Sequence, residues 1–307
     1  MYTVQAINER IVKDPQGFVR QCEQEYDEKV SAAASAIIDN MASSHLVLLS
    51  GPSGSGKTTS AMRIGQKLSE RGITAKIISL DNYFKDVDET TPRNEKGEFD
   101  FESPECVDFE LLDEHFKLFD QGDLVRVPVF DFRHQMRSRT EYEEIQIKDR
   151  DVIIFEGIHA LNEKIAGIHP EALGVFVCVM SEVDTGDGIF TGSLIRLMRR
   201  SIRDAKFRGA GPDFTLSVWD NVLDGEKKYI TPFKDRARFE IDSFIPYEIN
   251  MLKPFIQPVY KKLSSSENED MRRSVLHMLE KFENTESRFV PKNSILREFI
   301  GNSVYSY

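Results

Sequence analysis

Leu46-Val47-Leu48-Leu49-Ser50-Gly51-Pro52-Ser53-Gly54-Ser55-Gly56-Lys57-Thr58-Thr59 runs an apolar, strand-like segment straight into a glycine-rich turn. The turn satisfies G-x-x-x-x-G-K-[ST], and Ala61, Ile64 and Leu68 behind it repeat at helical spacing. Strand, loop and helix in that order predict a phosphate-binding loop. Its glycines let the backbone curl so that successive N–H groups point at an anion, and the helix N-terminus adds its positive end. Lys57 can reach the terminal phosphates, and the Thr58 hydroxyl suits Mg²⁺. Gly51, Ser53, Gly54, Ser55, Gly56, Lys57, Thr58 and Thr59 are therefore the candidate contacts to a nucleoside triphosphate.

Working outward, short β-branched runs recur at 45–50, 76–80, 125–130, 152–155, 175–180 and 241–245, most of them separated by helical patterns. Such alternation predicts an α/β fold, a parallel sheet of the P-loop NTPase type flanked by helices. Apolar residues at Phe18, Cys22, Tyr26, Val30, Ala33, Ile37 and Met41 mark a helix before the sheet, with Pro15 and Gly17 separating it from a shorter one. Helical periodicity returns after Pro246. The expected organisation is an N-terminal helical extension over 1–44, a P-loop core over 45–250 and a C-terminal helical segment over 251–307. These flanks suit an interface between copies as well as an intrachain cover, so a homo-oligomer is among the expectations.

Composition narrows the function. Forty Lys+Arg against 51 Asp+Glu give a net charge of -11 over 307 residues, which disfavours a nucleic-acid backbone as partner. Every apolar run is far shorter than the roughly 20 residues a membrane span needs. The first residues lack the apolar stretch of a secretory signal. Three scattered cysteines, Cys22, Cys106 and Cys178, fit a reducing compartment and no disulfide framework. A cytoplasmic chain acting on a small molecule is expected.

Two acids end strand runs, Asp81 after Ile77-Ile78-Ser79-Leu80 and Glu156 after Val152–Phe155. Residues at the carboxyl ends of parallel strands face the ligand crevice. Phosphoryl transfer asks mainly for a positioned hydroxyl, a metal and charge neutralisation. Asp81 is the candidate base towards an acceptor hydroxyl, and Glu156, with Thr58, the candidate metal shell. Arg196–Gly209 holds six basic residues and one acid. As a helix it sets Arg196, Arg199, Arg200 and Arg203 on one face, which predicts a phosphate-closing lid around 196–209. A second basic cluster, Arg133, His134, Arg137 and Arg139, could touch the acceptor. The loop Ser181–Ser193 lacks EF-hand spacing and reads as surface. Neither the D-x-x-G and N-K-x-D strings of GTPases nor an L-S-G-G-Q signature follows Thr59.

Gly51–Thr59, Leu80–Phe84, Phe99–Pro104, Pro128–Phe132, Phe155–Ile158 and Arg199–Asp204, in this order, resemble the uridine kinase/phosphoribulokinase family of P-loop kinases. Gly225–Ile230 and Leu296–Gly301 resemble its bacterial uridine-kinase-like branch. The resemblance implies ATP as donor, Mg²⁺, and Asp81 as base towards a sugar 5′-hydroxyl. It further implies Glu102 on the ribose hydroxyls, Arg200, Arg203 and Arg208 over the phosphates, and Lys57, Arg200 and Arg203 in catalysis. Phe84, Phe130, His134 and Gln135 would face the acceptor. The departures fall on that side: Phe130 stands where Tyr is usual, Gln135 where His is usual with His134 one position early, and Glu102 where Asp is usual. A ribonucleoside kinase is the leading expectation. Its alternatives are a kinase of a sugar phosphate held by the Arg133–Arg139 cluster, and an ATP-binding regulator with little turnover.

Overall fold

The computed structural model describes residues 1–131, 134–148, 150–263 and 269–307. Five parallel strands form its central sheet: β1 Leu46–Ser50, β2 Thr74–Ser79, β3 Asp151–Glu156, β4 Leu173–Cys178 and β5 Phe239–Asp242. Their order across the sheet is β5-β4-β1-β3-β2. Every residue of β1 is buried, because helices cover both faces. Alternate side chains reveal those faces. Val47, Leu49, Val152, Ile154 and Val175 enter one core, whereas Leu46, Leu48, Ile153, Phe155 and Phe176 enter the other.

Helices α1 (Val4–Lys13), α2 (Pro15–Asn40) and α3 (Lys57–Ser69) contribute to the first core. The second is closed by α4 (Phe109–Asp120) through Leu112, Phe116 and Phe119. Beyond the sheet come α5 (Gly192–Arg203), α6 (Glu248–Tyr260) and α7 (Glu269–Glu280), all of which add residues to the first core. Residues as far apart as Ile7 and Ile300 thus share one apolar cluster. No helix among the described residues is long and apolar enough to cross a membrane.

Three details differ from the sequence expectations. Val125–Asp131 is not part of the parallel sheet; it pairs antiparallel with Met136–Ile145, a strand too polar to read as one. Pro128 lacks a backbone donor, and the register breaks between it and Phe130, which suits a separate ribbon. Pro15 opens α2 instead of preceding it, with the Asp14 side chain accepting from the Gly17 N–H at 2.9 Å. The Ser181–Ser193 loop contains a small hairpin, Val183–Asp184 against Ile189–Phe190, whose first strand also pairs with Tyr2–Thr3.

Candidate active site

From β1 the chain moves to β2 on one side, and β4 lies on the other, so a crevice opens at the carboxyl end of β1. The phosphate loop fills that position. Gly54 and Gly56 have φ of 75° and 83°, and a Cβ on Gly56 would come within 2.2 Å of Ile295 Cδ1. Lys57 begins α3 and donates to the Pro52 carbonyl at 3.3 Å. The Ser55 hydroxyl is buried without a partner, a polar atom left over inside the glycine-rich turn. Such a cradle fits a polyphosphate.

Asp81 stands in the turn Leu80–Tyr83 directly after β2, and Glu156 is the last residue of β3. Both face the Lys57 ammonium, whose charge opposes the effect of burial on them. Burial still wins. It raises the Asp81 carboxyl above the usual range and pushes Glu156 up to about 7, while Lys57 is lowered by the same cause. Glu156 Oε1 accepts from Thr58 Oγ1 at 3.2 Å. A hydroxyl and a carboxylate at the mouth of a phosphate loop are hard oxygen donors that fit Mg²⁺.

The basic helix divides. Arg196 and Arg199 do not join a lid but turn into the protein, a correction to the one-face reading. Arg196 pairs with Glu226 at 2.6 Å and donates to the Ser53 carbonyl at 3.1 Å. Arg199, fully buried, grips Glu248 with Nε and Nη2 at 2.7 and 2.9 Å and donates to the carbonyls of Gly54 and Ser55. Four arginines on one face would repel one another, and carboxylates far along the chain relieve this, which local spacing cannot display. Arg200 and Arg203 remain at the crevice. Arg200 donates to Ser53 Oγ at 3.2 Å, and Arg203 pairs with Glu298 at 3.0 Å. Arg208 is more exposed, 3.7 Å from Asp204.

Just past the turn that carries Asp81, Phe84, Phe101, Phe130, Cys106 and Gln135 line a cavity of about 500 Å³. Phe84 and Phe130 meet edge to face at 5.8 Å. Gln135 is held at φ 54°, its carbonyl accepting from the Val87 N–H at 3.0 Å. Glu102 is mostly buried, and burial pushes its carboxyl up to about 7 against the pull of Arg200 and Lys57. His134 is not brought to this cavity. Its side chain is 71% exposed and Nδ1 lies 2.6 Å from Asp131 Oδ2. Arg137 is occupied by the carbonyls of Tyr83 and Phe84 and by Asp108, and Arg139 by Asp86. Arg133 and Phe132 lie outside the described residues.

Arg199, read as a lid residue, supports the loop from behind instead. Two further candidates escape sequence reading. Glu298, in the short helix Arg297–Ile300, accepts from Thr59 Oγ1 at 2.8 Å as well as from Arg203. His159, three residues past Glu156, is 2% exposed with neither ring nitrogen hydrogen-bonded, the Glu102 carbonyl facing it outside bonding geometry. Burial pushes its pKa down to about 3, so the ring is neutral. Only its neighbourhood to Glu156 could have flagged it.

The chain is similar in sequence to known proteins. Residues 46–248 match the model of the Phosphoribulokinase / Uridine kinase family. A uridine kinase of Clostridium novyi (strain NT) is 31% identical over 201 residues, covering 66% of this chain and 86% of that protein. One from Staphylococcus haemolyticus (strain JCSC1435) is 31% identical over 198 residues, 64% of this chain and 86% of its own. Among solved structures, a putative fructose transport system kinase from Silicibacter sp. TM1040 superposes with a TM-score of 0.49 at 17% identity, over 66% of this chain and 95% of that one. Since the family match spans the phosphate loop, both strand-end acids and the basic helix, the chain belongs to the phosphoribulokinase/uridine kinase family.

Proposed function

We propose that the protein is an ATP-dependent kinase that transfers the γ-phosphoryl group to the 5′-hydroxyl of a ribonucleoside. The observation that carries this reading is the meeting of Lys57, Asp81 and Glu156 at one phosphate loop, with a cavity lined by Phe84, Phe101 and Phe130 opening just past the Asp81 turn. The loop N–H groups and Lys57 hold the β- and γ-phosphates, and Arg200 and Arg203 neutralise the charge that spreads over the transferring group. Asp81 accepts the hydroxyl proton as that oxygen bonds to the γ-phosphorus; the bond from phosphorus to the β,γ-bridging oxygen breaks and ADP leaves. Thr58 and Glu156 are the residues that would hold Mg²⁺, whose charge would screen the phosphates. Glu102 accepts from the ribose hydroxyls, and Phe84, Phe130 and Gln135 border the nucleobase.

The alternative acceptor, a sugar phosphate, draws less support, because Arg137 and Arg139 are already satisfied by carboxylates and carbonyls. An ADP-release assay with Mg·ATP and uridine, cytidine, adenosine, guanosine, ribulose 5-phosphate, pantothenate or no acceptor tests the proposal. Stimulation by a ribonucleoside is expected. Asp81→Asn should keep ATP binding and lose about 100-fold or more in kcat. Stimulation by the sugar phosphate alone, or near-normal turnover in Asp81→Asn, would contradict the acceptor or the base respectively.

A further inference from the structure

The segment Ser294–Tyr307 lies outside the stretch matched to the family, yet it reaches the phosphate loop. Its first half is firmly anchored. Ile295, Leu296, Phe299 and Ile300 are buried, and the Arg297 guanidinium donates to the carbonyls of Ser287 and Val290 at 2.7 and 2.6 Å. Its second half is not. After Gly301 and Asn302, with consecutive φ of 85° and 61°, the chain runs over the surface. There it is held by scattered bonds: Val304 N–H to the Lys292 carbonyl, the Tyr305 hydroxyl to Gln66, and the Tyr307 hydroxyl 3.0 Å from Thr59 Oγ1.

What this segment touches matters more than how it is held. Lys57 would hold the β- and γ-phosphates of a bound donor and Thr58 would hold Mg²⁺, which leaves Thr59, next along α3, as the contact for the rest of the nucleotide. There the Glu298 carboxylate accepts from Thr59 Oγ1 at 2.8 Å and pairs with Arg203 at 3.0 Å. It is also close enough to Lys57 to act on its charge. A carboxylate making hydrogen bonds to a loop threonine and a crevice arginine occupies the electrostatic place of a phosphate. It would repel an incoming one.

We propose that Glu298 and Tyr307 form a latch that the donor nucleotide must open. The triphosphate takes over Arg203 and the Thr59 hydroxyl, the Glu298 side chain swings away, and the chain beyond Gly301 is released while the anchored half stays. This rests on the kinase reading above, since it needs a nucleoside triphosphate in the loop.

The test compares ATP titrations of the full chain and Glu298→Gln, with amide hydrogen exchange over 302–307. Loss of this ion pair, whose carboxylate is buried, should tighten ATP binding by about fivefold or more. ATP should speed exchange beyond Gly301 in the wild-type protein. Should Glu298→Gln melt early, Tyr307→Phe carries the test, with about a twofold gain expected from one lost hydrogen bond. ATP binding that is unchanged or weaker in these variants, or slower exchange over 302–307 with ATP, overturns the latch and leaves the kinase reading intact. Absence of ATP binding by every folded protein overturns both.

Discussion

Glu102 and Glu156 illustrate how one cause acts on two acids with different company. Each is pushed to about 7 by burial, but Glu156 has a hydrogen bond from Thr58, and a bound cation would draw its proton off. Glu102 has only the more distant charges of Arg200 and Lys57 to set against desolvation. Because its folded pKa lies above its ordinary value of 4.5, the folded state holds the proton more tightly than the unfolded chain does. The contribution to stability is fully present below about pH 4.5 and is lost as pH rises through about 7. A shift of this size corresponds to about 3 kcal/mol at most. Glu102→Gln should therefore melt at a higher temperature than the wild type at pH 8 and at the same temperature near pH 4. Equal shifts at both pH values would show that ionisation of Glu102 is not the source. If Glu102 serves the ribose as proposed, its carboxylate is a stability cost that the reaction requires.

At the scale of elements, the contact between α5 and the phosphate loop is the least local part of the site. Arg199 holds Glu248 at the start of α6 and, with the same guanidinium, the carbonyls of Gly54 and Ser55. Holding those two carbonyls fixes the backbone of the loop from behind, while the Ser55 N–H donates to the Pro52 carbonyl at 3.2 Å. Arg199→Met should cost about 3–5 kcal/mol, because Glu248 is left charged and buried. Adding Glu248→Gln should restore more than half of that loss in a thermal melt, yet leave the ATP affinity about tenfold weak through two missing loop hydrogen bonds. Recovery of affinity together with stability would mean that Arg199 serves packing alone. This division also marks what the sequence makes legible. The five parallel strands, the loop and the acids at the ends of β2 and β3 are each encoded within about ten residues, by runs of β-branched residues and one motif. Arg196 and Arg199 read as lid residues because their partners, Glu226 and Glu248, lie 30 and 49 positions away. Met136–Ile145 hides as a strand because nearly all of it is exposed or half-buried, so no apolar alternation betrays it.

Across the whole molecule, the flanking helices and the core meet on a single buried carboxylate. Glu23 of α2 accepts from the Tyr247 hydroxyl at 2.7 Å and from Ser294 Oγ at 2.5 Å, and it pairs with Arg63 of α3 at 3.3 Å. The group thus joins the first helical flank, the helix behind the phosphate loop, the turn leading into α6, and the base of the latch segment. Shared burial points the same way, since one apolar cluster contains Ile11 of the first flank, Val47 and Leu49 of the central strand, and Leu296 of the last segment. Flanks and sheet should then unfold together, in one transition seen alike by circular dichroism and calorimetry. Glu23→Ala strips a charged partner from buried Arg63 and hydrogen-bond partners from Tyr247 and Ser294, a loss of about 3–5 kcal/mol. That loss should move the whole transition to lower temperature without splitting it. A second, earlier transition that appears in Glu23→Ala would mean that the flanks fold separately and that Glu23 merely fastens them to an independent core.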